Sequence, residues 1–106
     1  MTPITEKDLE GMLLRLNRVA GTPTTPYTKL PSGKHRANIG NYHLDFAYGG
    51  VKVVQMDNNG GGIRTITQGY ETKRNCYNQL YMYIRGIEDC IYAEKKLDET
   101  IKDIIA

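Results

Sequence analysis

Leu9, Met12, Leu13, Leu16 and Ala20 recur at helical spacing and give one apolar stripe. Thr5 stands three residues before Asp8, an acidic form of the capping box that starts a helix. Gly21, followed by Thr22-Pro23, is a natural stop, so a helix is predicted within residues 1–21. Gly11 lies inside it and weakens it by about 1 kcal/mol relative to alanine. Either a close helix approach or a tolerated imperfection accounts for that glycine. Residues 22–34 are rich in proline and threonine, which rejects helix and central strand alike. They predict an extended loop that ends in a turn at Ser32-Gly33.

The apolar period then changes to two. His35 to Ile39 reads as a short strand. Tyr42, Leu44, Phe46 and Tyr48 alternate with His43, Asp45 and Ala47, and Gly49-Gly50 supplies a tight hairpin turn. Val51, Val53 and Val54 continue a second strand to Met56. Asp57-Asn58-Asn59-Gly60-Gly61-Gly62 is a longer turn, and Ile63 to Ile66 a third strand closed by Gly69. Residues 35–69 thus predict an antiparallel β-meander of three to four strands. From Thr72 the period is helical again, with Cys76, Leu80, Ile84, Ile87 and Ile91 near one face and Tyr77, Tyr81 and Tyr92 flanking it. The stripe resumes at Leu97, Ile101, Ile104 and Ile105 after the polar Glu94-Lys95-Lys96. Such a helix is long for a small domain. It either breaks near residues 93–96 or packs its tail, residues 93–106, on another subunit, and the uncovered stripe favours the subunit interface. The predicted class is α+β in one domain: an N-terminal helix, a small antiparallel meander and a long C-terminal helix.

Composition narrows the function classes. The chain of 106 residues is 40% hydrophobic and 25% charged, an ordinary globular balance. No apolar run is long enough to span a membrane, and the charged N-terminus does not read as a signal peptide. Cys76 and Cys90 share one predicted helix, beyond disulfide reach, so a reduced, cytoplasmic setting is expected. The net charge of +2 is uneven: residues 1–26 sum to zero, residues 27–85 to +5 and residues 86–106 to −3. An anion belongs in the middle of the chain. No Ser-His-Asp, Cys-x-x-Cys or His-x-x-x-His arrangement is present, and His35 and His43 are the only histidines. Neither catalysis, nor a metal, nor a cofactor is predicted.

A binding constellation remains. The glycine-rich turn of Asn58, Gly60 and Gly61 can turn successive backbone N–H groups toward a phosphate. Lys73 and Arg74 sit at a helix N-terminus, where first turns prefer acids, a local conflict that favours a ligand. Tyr48, beside Gly49-Gly50, can present a ring to a base, and Arg36 and Arg64 can reach phosphates. Each feature alone also fits an ordinary surface; together they predict a pocket for a nucleotide.

The series Pro26-Tyr27-Thr28, Arg36-Ala37-Asn38-Ile39-Gly40-Asn41-Tyr42, Ala47-Tyr48-Gly49-Gly50, Asn59-Gly60-Gly61 and Lys73-Arg74 resembles a family of small phage and prophage proteins. Within these it is similar to the first-described type of phage anti-Thoeris decoy. The resemblance covers about residues 9–92 and leaves out the acidic tail. It implies a phage counter-defence protein, acting in the cytoplasm of the infected bacterium, that sequesters a cyclic ADP-ribose isomer or a cyclic oligonucleotide without cleaving it. It also implies a homo-oligomer, a dimer or a hexamer. That family's nucleotide pocket uses an aromatic residue, an asparagine and two arginines. The resemblance carries these onto Tyr48, Asn58, Arg74 and either Arg36 or a lysine replacement at Lys29. Tyrosine replaces the phenylalanine of relatives and keeps the stacking surface. Two other classes fit the residues: a single-stranded nucleic-acid binder using Tyr42 and Tyr48, which the small net charge and acidic tail disfavour, and an inhibitor that blocks a host protein through its tail helix.

Overall fold

A capping box starts the first helix. In the computed structural model, which describes residues 2–105, the Thr5 hydroxyl accepts the Asp8 N–H at 3.2 Å while the Asp8 carboxylate accepts the Thr5 N–H at 2.9 Å. These bonds to Thr5 hold the Asp8 carboxyl below its ordinary range. Helix α1 spans Glu6–Ala20 and ends on Gly21, which adopts the left-handed conformation at φ 71°. Strands β1 (Tyr27–Lys29) and β2 (His35–Ala37) follow, then β3 (Tyr42–Ala47), β4 (Gly50–Met56) and β5 (Ile63–Thr65). One unbroken helix, α2, runs from Lys73 to Ile105. Its start is capped by Thr72, whose hydroxyl accepts the Asn75 N–H at 3.1 Å. The architecture is α+β, with all strand pairing antiparallel.

Two local features differ from the sequence reading. Part of the expected loop over residues 22–34 is strand: β1 pairs with β2 in a separate two-stranded ribbon, so β2 does not belong to the three-stranded sheet β3-β4-β5. The ribbon follows from the tight turn between them, where Leu30 and Lys34 close a backbone bond at 2.7 Å. The hairpin turn between β3 and β4 is Tyr48-Gly49, one residue earlier than Gly49-Gly50, and Ala47 pairs with Gly50. Of the two courses the sequence leaves open for α2, the break near residues 93–96 does not occur, and the helix is continuous.

Strand β4 is buried on both faces. Val51 and Val53 join Tyr42 against Leu9, Leu13 and Leu16 of α1 and Cys76, Leu80 and Ile84 of α2. On the opposite face Val54 and Met56 are also fully buried, as is Ala37 of the ribbon. Asn17 locks α1 to the sheet edge: its amide donates to the Tyr42 carbonyl at 3.0 Å and its oxygen accepts the Tyr42 N–H at 2.9 Å. The same oxygen accepts the Thr22 hydroxyl at 2.8 Å, so the buried amide is satisfied.

Beyond Ile91 no described residue of α2 is buried. Tyr92, Leu97, Ile101, Ile104 and Ile105 stand in solvent, with Ile104 80% exposed. The radius of gyration of 16.9 Å records this projection; a compact chain of this length has about 13 Å. No described helix is long and apolar enough to cross a membrane.

These contacts can be tested by mutation and by pH. Asn17→Ala strands the Tyr42 N–H and C=O beneath α1 and is expected to cost about 2–3 kcal/mol, read from urea unfolding. Alkaline pH acts on the same core. Burial, aided by the Tyr83 hydroxyl, pushes Tyr42 up to about 12 from an ordinary 10.0, and burial pushes the Cys76 thiol up to about 11 from 9.0. Because the folded chain keeps protons that the unfolded chain releases, this stabilisation is complete below about pH 9 and lost as pH rises toward about 12. The urea midpoint is expected to fall across that window, and to fall less at its lower end in Cys76→Ala.

Candidate functional site

The β3–β4 turn holds two consecutive left-handed residues, Tyr48 at φ 55° and Gly49 at φ 72°. This is the conformation that two-residue hairpins prefer, and it suits glycine or asparagine. A tyrosine there costs roughly 1–2 kcal/mol. Its ring leans edge-on against Tyr70, with centroids 5.5 Å apart and planes at 67°. The Tyr70 hydroxyl donates to the Asp45 carboxylate, a bond that raises its pKa. The Lys52 ammonium lies 4.5 Å from the Tyr70 ring centroid and donates to Thr65 Oγ1 at 3.0 Å. Asp45 and Lys52 face each other across the hairpin register. Tyr48 is 94% exposed, so this aromatic corner is open to a planar ligand.

Gly50 brings the corner close to α2. Val51 exchanges backbone bonds with Glu71 at 2.9 and 3.0 Å, and a Cβ on Gly50 would lie 3.0–3.1 Å from the backbone of Tyr70 and Glu71. That close approach sets where Thr72 caps α2, and therefore where Lys73 and Arg74 stand. They line a cavity of about 880 Å³ with three walls. Phe46, Gly49, Gly50 and Val51 form the hairpin wall, Glu71, Thr72, Lys73 and Arg74 the helix wall, and Pro3 and Ile4 the third. The first turn of α2 contains no acid. Arg74 donates to the Thr2 carbonyl at 2.9 Å, and among the described residues neither Lys73 nor Arg74 has a carboxylate within ion-pair distance. Two cations, a capping hydroxyl and free helix amides thus share a partly apolar cavity with one carboxylate, Glu71, which accepts the Asn75 amide at 3.3 Å; the surplus of positive charge suits an anion with a hydrophobic part.

The remaining expected residues lie elsewhere in the chain. The seven residues of β4 set its two ends about 20 Å apart. Asn58, Gly60, Gly61 and Arg64 belong to the far end. There the Asn58 side-chain oxygen accepts the N–H groups of Gly60 and Gly62 at 2.9 and 3.0 Å, while Gly61 N–H bonds the Asn58 carbonyl at 3.2 Å. The turn's amides therefore converge on the loop's own asparagine, and a Cβ at Gly62 would collide with that side chain. Arg64 donates to Gln55 at 2.8 Å, and Arg36 is exposed on β2 opposite Thr28. Within one chain the expected site residues do not form one group: Tyr48, Lys73 and Arg74 stand at one end of β4, Asn58, Gly60, Gly61 and Arg64 at the other, and Arg36 on the separate ribbon.

Sequence reasoning missed Tyr70, Lys52, Asp45 and the N-terminal segment. Asp45 and Lys52 follow from the hairpin register, which a turn at Tyr48-Gly49 brings out and one at Gly49-Gly50 conceals, whereas Tyr70 is placed by the Val51–Glu71 bridge. Nothing in the sequence pattern points to Pro3 and Ile4 as a cavity wall. His43 Nδ1 donates to Asn41 Oδ1 at 3.1 Å, and burial lowers the His43 pKa. Among the described residues no group of three or more His, Cys, Asp or Glu is placed to hold a metal ion. Comparison of the chain with protein-family models, curated proteins and solved structures finds no match.

Two glycines provide opposite tests of this geometry. Gly50→Ala presses a methyl group into the Tyr70–Glu71 backbone and is expected to destabilise by about 1–3 kcal/mol. Gly11→Ala meets open space on a helix and is expected to stabilise by about 1 kcal/mol, both read from urea unfolding.

Proposed function

We propose that this protein binds and sequesters a cyclic nucleotide signal, a cyclic ADP-ribose isomer or a cyclic oligonucleotide, without cleaving it, as a phage-type counter-defence protein. The observation that carries the reading is the cavity of about 880 Å³ in which Lys73, Arg74 and the α2 N-terminus meet apolar walls beside the Tyr48–Tyr70 corner. Charge-assisted bonds to phosphate contribute about 1.5–3 kcal/mol each. Stacking of a base adds about 1–3 kcal/mol. The sum is in keeping with tight retention of a small ligand.

The protein acts as a homo-oligomer in this reading. The exposed stripe of Leu97, Ile101, Ile104 and Ile105 supports association through the α2 tail. In the same reading, the separation of Asn58 and Arg64 from Arg74 within one chain calls for a second chain to bring the two groups together.

The test is retention. Protein incubated with each cyclic ADP-ribose isomer and with cyclic di- and trinucleotides is freed of unbound ligand, heat-denatured, and its supernatant identified by mass spectrometry. Intact ligand is expected from wild type, with affinity about 10–100-fold weaker in Lys73→Glu/Arg74→Glu. A cleaved product, or no retention of any of these compounds, overturns the proposal. A salt-dependent shift of single-stranded DNA or RNA by wild type, without nucleotide retention, would instead favour strand binding at the exposed Tyr48 ring.

A further inference from the structure

The three-stranded sheet has an open edge at β3. Strand alternation fixes which backbone groups face it. Tyr42 turns its N–H and C=O outward, where Asn17 takes both. Leu44 and Phe46, two and four residues on, face the same way. Among the described residues neither has a backbone partner on that side. An unpaired edge of this kind is a template for another strand unless it is covered or charged.

Beside this edge runs a groove of about 670 Å³ between β3 and α1, floored by Leu13 and Leu44 and flanked by Gly11 and Leu14. Gly11 has nothing within 4 Å of where its Cβ would be, so the groove is open on the helix side. Phe46, 48% exposed, and Leu14, 40% exposed, stand at the same edge, and Phe46 lines both this groove and the cavity beside Lys73 and Arg74. A protruding ring and a cavity to receive one therefore occupy a single patch. That is the self-complementary arrangement of a two-fold contact, in which each copy supplies both knob and hole. Lys7 and Glu10, of opposite charge, line the same groove, so a two-fold axis can bring unlike charges together across it.

We propose that the free edge of β3 pairs antiparallel with β3 of a second copy, joining two three-stranded sheets into one of six strands. Only one register uses all four free backbone groups and leaves the Asn17 bonds intact: Leu44 opposite Phe46 of the second copy, and Phe46 opposite its Leu44. The Phe46 ring then enters the other copy's groove beneath α1, in the space Gly11 leaves. The two Asp45 residues meet at the axis as a non-hydrogen-bonded pair on the other face, each held by its own Tyr70 hydroxyl and beside its own Lys52. This interface is separate from the α2 tail.

Cross-linking at the axis reads the register directly. Non-hydrogen-bonded partners lie about 4.5 Å apart at Cα, within disulfide reach. In Asp45→Cys/Cys90→Ser, which removes the exposed native thiol, mild oxidation is expected to give a covalent dimer. Adding Gly11→Phe, which fills the groove from a position open in the monomer, is expected to slow cross-linking by about tenfold or more, as for loss of a central aromatic contact. Circular dichroism confirms that the variant is folded, and Phe46→Ser supplies an independent check from the knob side. Cross-linking that is equally fast with and without Gly11→Phe, or no cross-link through the introduced thiol in the folded Asp45→Cys protein, overturns the proposal. The outcome does not depend on any nucleotide.

Discussion

Everything in this molecule hangs on β4, the strand buried on both faces. Val51 and Val53 hold the two helices to one side of the sheet, and Val54 and Met56 are sealed on the other. At about 25 cal/mol per Å² of apolar surface removed from water, such side chains contribute roughly 1.5–3 kcal/mol each. The strand is therefore the least movable part of the chain. It also sets the distances that matter for the proposed binding, because the aromatic corner and the cation-lined cavity grow from one end and the glycine turn from the other. Their separation is a strand length and cannot relax away without undoing the core.

The elements with strong local chemistry were legible in the sequence. Thr5 with Asp8, and Gly21 after Ala20, mark α1 because caps act over three or four residues. The alternation from Tyr42 to Met56 marks two strands. The placement of the turn was not legible. Tyr-Gly and Gly-Gly both permit a two-residue hairpin, and the choice rests on Tyr48 meeting Tyr70, which lies 22 positions later. That one-residue difference moves Tyr48 out of the strand and creates the Asp45–Lys52 pair. The β1–β2 ribbon was hidden for a similar reason, since its strands are three residues each and mostly exposed, so they carry no apolar period. At the glycine turn, composition pointed to free amides, but whether they are free depends on the rotamer of Asn58.

Two local conflicts coincide at the near end of β4. A tyrosine occupies a backbone conformation that favours glycine, and two cations occupy a helix start that favours acids. Natural chains carry such disagreements sparingly, and where they cluster they point to binding. The protein limits their cost with an edge-on ring contact for Tyr48 and a carbonyl for Arg74. The Asn58 turn is the opposite case. Its glycines look permissive, yet each bond is closed internally, and it has the character of a finished structural piece.

The unbroken course of α2 has a mechanical consequence. Thirty-three residues make a rod of about 50 Å, anchored in the core only along its first half. The overhanging half is a lever arm. A neighbour that grips Ile101 pulls, through continuous backbone hydrogen bonds, on the same turn that carries Lys73, with no relay of side chains between. In the proposed function, assembly and ligand capture would thus be linked by a single stiff element, and stiffness at one end would be felt as orientation at the other.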